Sequence, residues 1–313
     1  MRLATFRDTA GVQLGVVRGD EIVHLPRAAT RSGVAPDTMD DTILRDMLAL
    51  IDGGETALAR VRDLVASAPA EAILPLASVT LLAPIPRPRR NIFCIGRNYA
   101  EHAAESLRAQ GQQAPAGAPR PNFFTKATTT VSGPTDDIPF DAGVSAQMDW
   151  EVELGVVLGR GGRHIPQEQA LAHVWGYLVL NDVSARDIQN APGVQWFLGK
   201  SLDGACPTGP WIVTADELPD PQTLRLSLAI NGEVKQEDTT AHMIFDVATQ
   251  IAALSHALTL EPGDLLATGT PSGVGFARTP PEFLKPGDVM ESAIEGIGAL
   301  RNRVVDIGRS EAH

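Results

Sequence analysis

The stretch Asp149-Trp150-Glu151-Val152-Glu153-Leu154-Gly155-Val156-Val157 decides the interpretation of this chain, because two acids lead directly into an apolar, strand-forming run. Side chains alternate across a strand, so Glu151 and Glu153 are predicted to project from one face. Val152 and Leu154 then take the other face, towards the core. Two carboxylates held side by side repel each other unless a cation lies between them, and a hard divalent ion with oxygen ligands meets that need.

A third acid follows another apolar run of the sequence. The predicted strand Tyr177–Leu180 ends at Asn181-Asp182. An acid at the end of a buried strand is well placed to be a third ligand, so the sequence predicts a metal site on Glu151, Glu153 and Asp182. The alternative that these residues leave open is a solvated edge strand with ordinary surface acids.

Composition and charge limit the class of protein. The 313 residues are 43% hydrophobic and 20% charged, which is typical of a soluble globular chain with an ample core. The net charge of −12 repels nucleic acid and anionic membranes, so we expect neither as a partner. The first residues, Met1–Asp8, include charges before any long apolar run, and we expect a cytoplasmic protein without a signal peptide. Cys94 and Cys206 have apolar neighbours and are predicted to be buried free thiols.

The N-terminal region, residues 1–83, is predicted to form a small α+β domain. A good helix cap at Asp40-Asp41-Thr42 precedes helically spaced apolar residues, and a second helix is predicted over Glu55–Ala66. Three alternating prolines then make residues 84–90 a stiff linker. The strands predicted before these helices are Leu3–Phe6, Val12–Val17 and Glu21–Leu25.

Residues 91–308 are predicted to form a second, β-rich domain, because short apolar runs alternate with Gly/Pro turns. Helical patterns are few, chiefly Pro166–Val174 and Ile244–Leu258. This mixture favours an α+β fold over a doubly wound sheet. Besides Leu154–Leu158 and Tyr177–Leu180, the predicted strands are Ile92–Ile95, Trp211–Val213, Leu224–Ile230, Leu265–Thr268 and Val289–Ile294.

A histidine and a glutamate stand three residues apart in a helix-compatible segment. That spacing puts His102 and Glu105 on one helix face, where Glu105 can orient the imidazole and His102 can take a proton from water. A surface histidine is the alternative. The Gln/Ala/Gly/Pro-rich segment that follows, Gln110 to Pro121, suggests that residues 106–121 form a lid over bound substrate. The alternative for this segment is a plain surface insertion.

Two nucleotide-binding motifs are rejected. Gly199-Lys200-Ser201 resembles the end of a phosphate loop, but that motif needs a glycine at position 194, which is Val194. The glycines at 269, 273 and 275 do not precede a predicted helix, so a dinucleotide fingerprint does not fit. Gly269 instead permits close backbone approach at a strand end, and Thr270 can hydrogen-bond a substrate carboxylate.

Three further polar residues are candidate substrate contacts. Arg186 and Gln189 follow Asp182 on one short segment and are predicted to bind the distal part of the substrate. Arginine suits a second carboxylate because it makes bidentate contacts. Lys126 ends an aromatic strand, Phe123-Phe124-Thr125-Lys126, and is a weaker candidate that is about equally compatible with plain exposure.

Five ordered motifs make the chain resemble the fumarylacetoacetate hydrolase superfamily, in particular its bacterial acylpyruvate hydrolases, oxaloacetate decarboxylases and hydroxymuconate-type isomerases. The likeness covers roughly Arg90 to Asp306. The motifs are Cys94–His102, Asp149–Glu153, Gly176–Asp187, Gly199–Gly204 and Glu261–Gly275.

The resemblance implies a β-rich roll of mixed strands, usually dimeric, with Mg²⁺ or Mn²⁺ on Glu151, Glu153 and Asp182. It also makes Lys200 a site lysine that pairs with the substrate or enolate oxygen. Arg97 and Tyr99, in the first motif, are expected substrate contacts. The animal enzyme that names the family has a further acidic ligand upstream, whereas this chain has only Asn98 near that place, which favours three carboxylates.

The function predicted from these residues is metal-dependent hydrolysis of a C–C bond in an acylpyruvate or fumarylpyruvate-type diketo acid, in the catabolism of aromatic or related compounds. The pair His102 and Glu105 motivates hydrolysis, because that reaction needs an activated water. The same site would also suit a hydroxymuconate-type isomerase or tautomerase, an oxaloacetate decarboxylase or a 2-keto-3-deoxy sugar acid dehydratase. A non-catalytic binding protein is the third interpretation.

Overall fold

The structure, a computed structural model, describes residues 1–31, 42–113 and 120–308 of the chain. In the described part, no helix is long and apolar enough to cross a membrane. The α-helices are α1 (Leu25–Arg31), α2 (Met47–Asp52), α3 (Gly54–Ala66), α4 (Ala100–Ala109), α5 (Arg186–Gln189), α6 (Trp196–Lys200) and α7 (Val247–Ala257).

Strands make up most of the regular structure. In chain order they are β1 (Arg2–Asp8), β2 (Gly11–Arg18), β3 (Glu21–His24), β4 (Ile73–Pro75), β5 (Thr80–Leu81), β6 (Ile92–Gly96), β7 (Asn122–Lys126), β8 (Val131–Ser132), β9 (Ile138–Phe140), β10 (Met148–Asp149), β11 (Val152–Leu158), β12 (Val174–Asn181), β13 (Ser184–Ala185), β14 (Cys206–Thr214), β15 (Arg225–Ile230), β16 (Glu233–Thr239), β17 (Leu265–Ala267), β18 (Val289–Ile294) and β19 (Gly298–Asp306). The predicted β-rich α+β class is confirmed.

A large mixed sheet forms the centre of the fold. It has 12 strands, ordered β4-β3-β2-β1-β14-β12-β11-β17-β6-β7, with β5 added at β1 and β8 at β14. A five-stranded sheet, ordered β16-β15-β18-β19-β9, packs against one side, and β10 pairs with β13. Strand β17 runs parallel to β6 and antiparallel to β11, so the turns that follow β6 and β17 lie near the start of β11.

The central strands are buried on both faces, which explains their continuous apolar runs. On β11, Val152, Leu154 and Val156 belong to the core shared with the five-stranded sheet. Val157, pointing the other way, belongs to a core shared with helices α1–α3. The prediction that Val152 and Leu154 face the core is therefore confirmed, and both cysteines are buried free thiols as predicted.

The N-terminal region is part of the large sheet, because β1 pairs with β14 through Arg2 and Leu3. Residues 84–90 contain neither helix nor strand. The domain boundaries at 83/84 and 90/91 stay predictions.

Two predicted helices differ in detail from the structure. Asp40 and Asp41 lie outside the described residues, and the described helix α2 begins later, where the Asp46 carboxylate accepts from Ala49 N at 2.8 Å. The predicted helix over Pro166–Val174 is a 3-10 helix, Gln167–His173. The hydrophobic spacing of such a short segment does not distinguish the two helix types.

Candidate active site

Strand pairing brings the three predicted metal ligands together. Val152 on β11 lies opposite Asn181 on β12, so the start of one strand meets the end of the other. Asp182 N donates to Glu151 O at 2.8 Å, and Asn181 Oδ1 accepts from Glu151 N at 2.9 Å. Carboxylate oxygens of Glu151, Glu153 and Asp182 lie within 4.8 Å of one another, and all three residues are buried. The sequence prediction of a clustered acidic trio is confirmed.

The three carboxylates are unequally compensated by cations. Burial alone would raise the pKa of Glu151, but Lys200 and Arg186 outweigh it and lower that pKa to about 2. Burial, together with Asp182 and Glu151, raises the pKa of Glu153 well above its usual value. No ion pair to Glu153 is found within the described residues, and its Oε2 accepts only from Gly269 N, at 2.7 Å. A buried set of hard oxygen donors with one carboxylate lacking a counter-ion fits a divalent cation such as Mg²⁺ or Mn²⁺.

Lys200 and Lys126 each contact a different carboxylate oxygen of Asp182. Lys200 Nζ donates to Asp182 Oδ2 at 2.7 Å and to Glu151 Oε2 at 2.5 Å. Although burial opposes it, these acids raise the pKa of Lys200, so this side chain remains an ammonium. Lys126 is fully buried, with Nζ 2.7 Å from Asp182 Oδ1 and donating to Val183 O at 3.0 Å. Lys126 therefore lies beside Asp182, a predicted metal ligand, and not on the cleft wall, and its predicted substrate contact stays a prediction.

Helix α4 carries the predicted proton-transfer pair. His102 Nδ1 lies 3.0 Å from Glu105 Oε1. Both Glu105 oxygens lie 3.1 Å from Gly273 N, which donates to them and fixes the carboxylate. Gly273 has φ +105°, and a Cβ there would lie 2.1 Å from Lys235 O, so only glycine allows this approach. The spacing in the sequence correctly placed the pair on one helix face.

Arg186 is engaged within the protein to a greater extent than the sequence predicted. Nε donates to Asp149 Oδ2 at 2.8 Å, Nη2 to Glu151 Oε1 at 2.6 Å and Nη1 to Gln189 Oε1 at 2.9 Å. The guanidinium also lies over the Phe276 ring, 4.5 Å from its centroid. Arg186 and Gln189 line the cleft, but much of their hydrogen-bonding capacity is already used.

Sequence reasoning missed Asp149. This fully buried carboxylate accepts from Arg186 Nε, from Gly275 N at 2.7 Å and from Phe276 N at 3.1 Å. The available signal was an acid two residues before Glu151, the first acid of the Glu-x-Glu pair. Its partners come from distant segments, so its role could not be read from local spacing.

One cleft collects most of the predicted site residues. It contains about 430 Å³ of space not filled by atoms, including its open mouth. Among its walls are the predicted residues Arg97, His102, Glu151, Glu153, Arg186, Gln189, Lys200 and Thr270. Carboxylates, an imidazole and cationic groups are therefore brought to one small volume, and their roles stay predictions.

Of the other predicted substrate contacts, Thr270 lines this cleft, whereas Gly269 and Tyr99 do not. The Thr270 hydroxyl donates to Val152 O at 2.9 Å and accepts from Gln236 Nε2 at 2.8 Å, so it is used within the protein. The Gly269 amide holds Glu153, and Tyr99 is buried outside the lining of the cleft. Their predicted substrate contacts stay predictions.

Asn98, near the place of the family's additional acid, has a structural role. Its Nδ2 donates to Thr268 O at 2.8 Å and to Phe245 O at 3.0 Å, and its Oδ1 accepts from Phe245 N at 2.9 Å. These bonds fix the turn after β6 and leave little of the amide for a metal ion.

The predicted lid is only partly described. Residues 114–119 lie outside the described residues, so closure of 106–121 over a substrate stays a prediction. Gln110, at the end of α4, accepts from Arg97 Nη2 at 2.6 Å and donates to Asn190 Oδ1 at 3.2 Å.

Residues 91–305 match the profile of the family described as fumarylacetoacetate (FAA) hydrolase, C-terminal. Among curated proteins, the mitochondrial oxaloacetate tautomerase Fahd2a of Rattus norvegicus is 41% identical over 286 residues, covering 90% of this chain and 88% of that protein. Oxaloacetate tautomerase YisK of Bacillus subtilis (strain 168) is 44% identical over 229 residues, covering 73% of this chain and 74% of that protein.

A solved structure adds a metal to the comparison. Maleylpyruvate hydrolase from Sphingobium sp. SYK-6, in complex with manganese (II) ion and pyruvate, is 33% identical, with a TM-score of 0.75, covering 99% of this chain and 100% of that chain. The same overall fold is therefore known with a divalent ion and a small 2-oxo acid.

Proposed function

The chain belongs to the fumarylacetoacetate hydrolase family, and from that membership and the geometry of the cleft we propose that it interconverts the keto and enol forms of a small 2-oxo dicarboxylic acid. Oxaloacetate is the substrate to test first, because both curated relatives described above are named oxaloacetate tautomerases. Family membership and the buried acidic site support an enzyme and leave the non-catalytic interpretation without support.

One observation carries the proposal: His102, which is held by Glu105, lines the same cleft as Glu151 and Glu153 of the acidic site. Keto–enol exchange moves a proton between C3 and the 2-oxo oxygen of the substrate. It needs a base beside the carbon and hydrogen-bond donors beside the oxygen, and it needs no water molecule.

His102 is the base. Its Nδ1 is held by Glu105, which leaves Nε2 to take the proton from C3 and to return it in the reverse direction. The Glu105 carboxylate, fixed by Gly273 N, stabilises the imidazolium that forms. Lys200 remains protonated next to Asp182 and Glu151, so it acts as a donor to the developing enolate oxygen and not as a base.

Glu151, Glu153 and Asp182 would hold one Mg²⁺ or Mn²⁺, and such an ion, when bound, supplies Lewis-acid polarisation of the 2-oxo carbonyl. Arg186 holds Glu151 in place, and Gly269 N holds Glu153. The chain's own residues thus fix the direction of two of the three ligands.

Hydrolysis of a diketo acid, the reaction predicted first from the sequence, becomes the second candidate. The same His102–Glu105 pair would activate a water molecule instead of removing a carbon-bound proton. The similarity to a maleylpyruvate hydrolase supports this alternative. The names of the curated relatives support tautomerisation better.

Stopped-flow absorbance with the enol form of oxaloacetate tests the proposal. With enzyme and Mg²⁺, enol absorbance should relax to its equilibrium value at least about 10²-fold faster than with Mg²⁺ alone, the scale of a positioned general base. The mass of the solute should not change. A relaxation rate equal to that of Mg²⁺ alone would contradict the proposal.

Product mass separates the alternatives on one panel of 2-oxo and diketo acids, run with and without EDTA. Gain of water from an acylpyruvate indicates hydrolysis, loss of CO₂ indicates decarboxylation, and loss of water from a 2-keto-3-deoxy sugar acid indicates dehydration. Two further predictions stay open: that the chain forms a homodimer and that it is located in the cytoplasm. The rat relative, by contrast, is named mitochondrial.

A further inference from the structure

We infer that Arg97 binds the distal carboxylate of the substrate and makes the site selective for 2-oxo dicarboxylic acids over monocarboxylic ones. This inference rests on the proposed function and names the group that recognises the far end of its substrate. The sequence pattern had assigned binding of the distal part of the substrate to Arg186 and Gln189, and we assign it to Arg97 instead.

Arg97 is a cation of the cleft wall without an acidic partner. Its Nη2 donates to the neutral Gln110 Oε1 at 2.6 Å. Within the described residues it forms no ion pair, and residues 114–119 contain no acid in their sequence. Burial lowers the pKa of Arg97, and no nearby carboxylate offsets that effect. A partly buried guanidinium with free donors and no counter-ion is suited to an incoming anion.

The other cations of the cleft are already paired. Arg186 donates to Asp149 and Glu151, and Lys200 donates to Glu151 and Asp182. A second substrate carboxylate at either would compete with a buried carboxylate of the protein. At Arg97 it would displace only a neutral amide oxygen, and a charged, bidentate contact is the stronger of the two.

The backbone of Arg97 has a strained conformation. Its φ is +57°, a left-handed conformation that residues other than glycine rarely adopt. The next residue, Asn98, is bonded to Phe245 and Thr268 and fixes this turn in place. Such strained positions persist where the surrounding structure enforces them, and they are concentrated at functional sites.

The test compares ligands that share the 2-oxo acid end and differ at the far end. Calorimetry on the Mn²⁺-loaded enzyme would use 3,3-difluoro-oxaloacetate, which cannot enolise, and pyruvate, which lacks the distal carboxylate. In Arg97→Gln, binding of difluoro-oxaloacetate should weaken by about 10–100-fold, with pyruvate unchanged within about twofold. Arg97→Lys should lie between, because lysine keeps the charge and loses the bidentate geometry.

A second variant leaves the strained position untouched. Gln110→Glu places a carboxylate where Gln110 Oε1 now accepts from Arg97, so the new carboxylate should pair with the guanidinium. Binding of difluoro-oxaloacetate should then weaken while binding of pyruvate does not, as in Arg97→Gln. Gln112→Glu adds the same charge at an exposed place, and Arg108→Gln removes the same charge from exposed surface of α4. Both controls should bind as the unmodified chain does.

Equal weakening of both ligands in Arg97→Gln and Gln110→Glu, or no weakening of either, would overturn the inference. Retained selectivity in Gln110→Glu would also overturn it. The binding ratio needs no turnover, so failure of the chain to tautomerise oxaloacetate would defeat the proposed function without deciding the role of Arg97. With active enzyme, the variants should lose oxaloacetate kcat/KM mainly through a higher KM.

Discussion

Asp149 and Arg186 form a buried ion pair, with the arginine Nε donating to Asp149 Oδ2 at 2.8 Å. The other end of the same guanidinium donates to Glu151 Oε1 at 2.6 Å. Asp149 therefore acts on a predicted metal ligand through Arg186, as a positioning residue. Backbone donors from Gly275 and Phe276 fix Asp149 in turn.

Asp149→Asn keeps the shape of the side chain and removes the charge that balances Arg186. Breaking a buried pair in this way should lower the free energy of unfolding by about 3–5 kcal/mol. Arg186 is then left to Glu151 and competes more strongly for that carboxylate, so Mn²⁺ affinity should fall by about tenfold. Urea unfolding and Mn²⁺ titration measure the two effects. The exposed Asp63→Asn is the control, and unchanged Mn²⁺ affinity in Asp149→Asn would remove the positioning role.

Glu105→Gln tests the orientation of His102. The amide preserves size but removes the negative charge beside Nδ1, so turnover should fall by about 10²-fold while Mn²⁺ binding stays the same. Glu101→Gln lies one turn earlier on the same helix, is exposed, and should be nearly silent. Full activity in Glu105→Gln would show that the pair has no part in proton transfer.

Glu153→Gln tests the metal site through two opposite effects. Removing one of the three predicted charged ligands should lower the affinity for Mn²⁺ by at least about 10²-fold. Without metal, the variant should be as stable as the unmodified chain or more stable, because burial and the neighbouring Asp182 and Glu151 disfavour the Glu153 anion. Melting temperatures with and without Mn²⁺ measure both. Equal stabilisation by Mn²⁺ in the variant and in the exposed control Glu168→Gln would contradict the assignment.

The buried His24, outside the cleft, should make the free energy of unfolding fall in acid. Burial, and then the nearby Arg27, lower its pKa from the usual 6.5, although Asp8, 3.4 Å from Nε2, opposes them. The unfolded chain therefore takes up the proton first, and folding stability falls as the pH drops from about 6.5 towards the lower pKa of the folded state. His24→Gln should reduce this slope in unfolding free energy between pH 7 and about pH 5. Identical slopes would mean that other groups dominate.

Local sequence patterns predicted those site residues whose positions depend only on strand alternation, a strand end or helical spacing. Strand alternation placed Glu151 beside Glu153, the end of an apolar run placed Asp182, and helical spacing placed His102 beside Glu105. Each of these inferences needs only neighbours in the sequence.

Long-range pairing decided what local patterns could not. Arg186 was predicted to bind substrate, but its main partners lie 35 and 37 residues earlier, at Glu151 and Asp149. The pairing of Leu3 on β1 with Ile212 on β14 joins the N-terminal region to the central sheet between residues that are 209 positions apart. No spacing within one segment reveals such contacts.

Exchange of the C3 hydrogens of oxaloacetate with deuterium, followed by NMR and mass spectrometry in D₂O, tests most directly whether the enzyme enolises its substrate. An enzyme that enolises a 2-oxo acid at this site should introduce deuterium at C3 in the presence of Mg²⁺, with the carbon skeleton unchanged. His102→Gln should lose at least about 10²-fold of that exchange rate and retain Mn²⁺ binding. Exchange that is no faster than with Mg²⁺ alone, or equally fast in His102→Gln, would contradict the account.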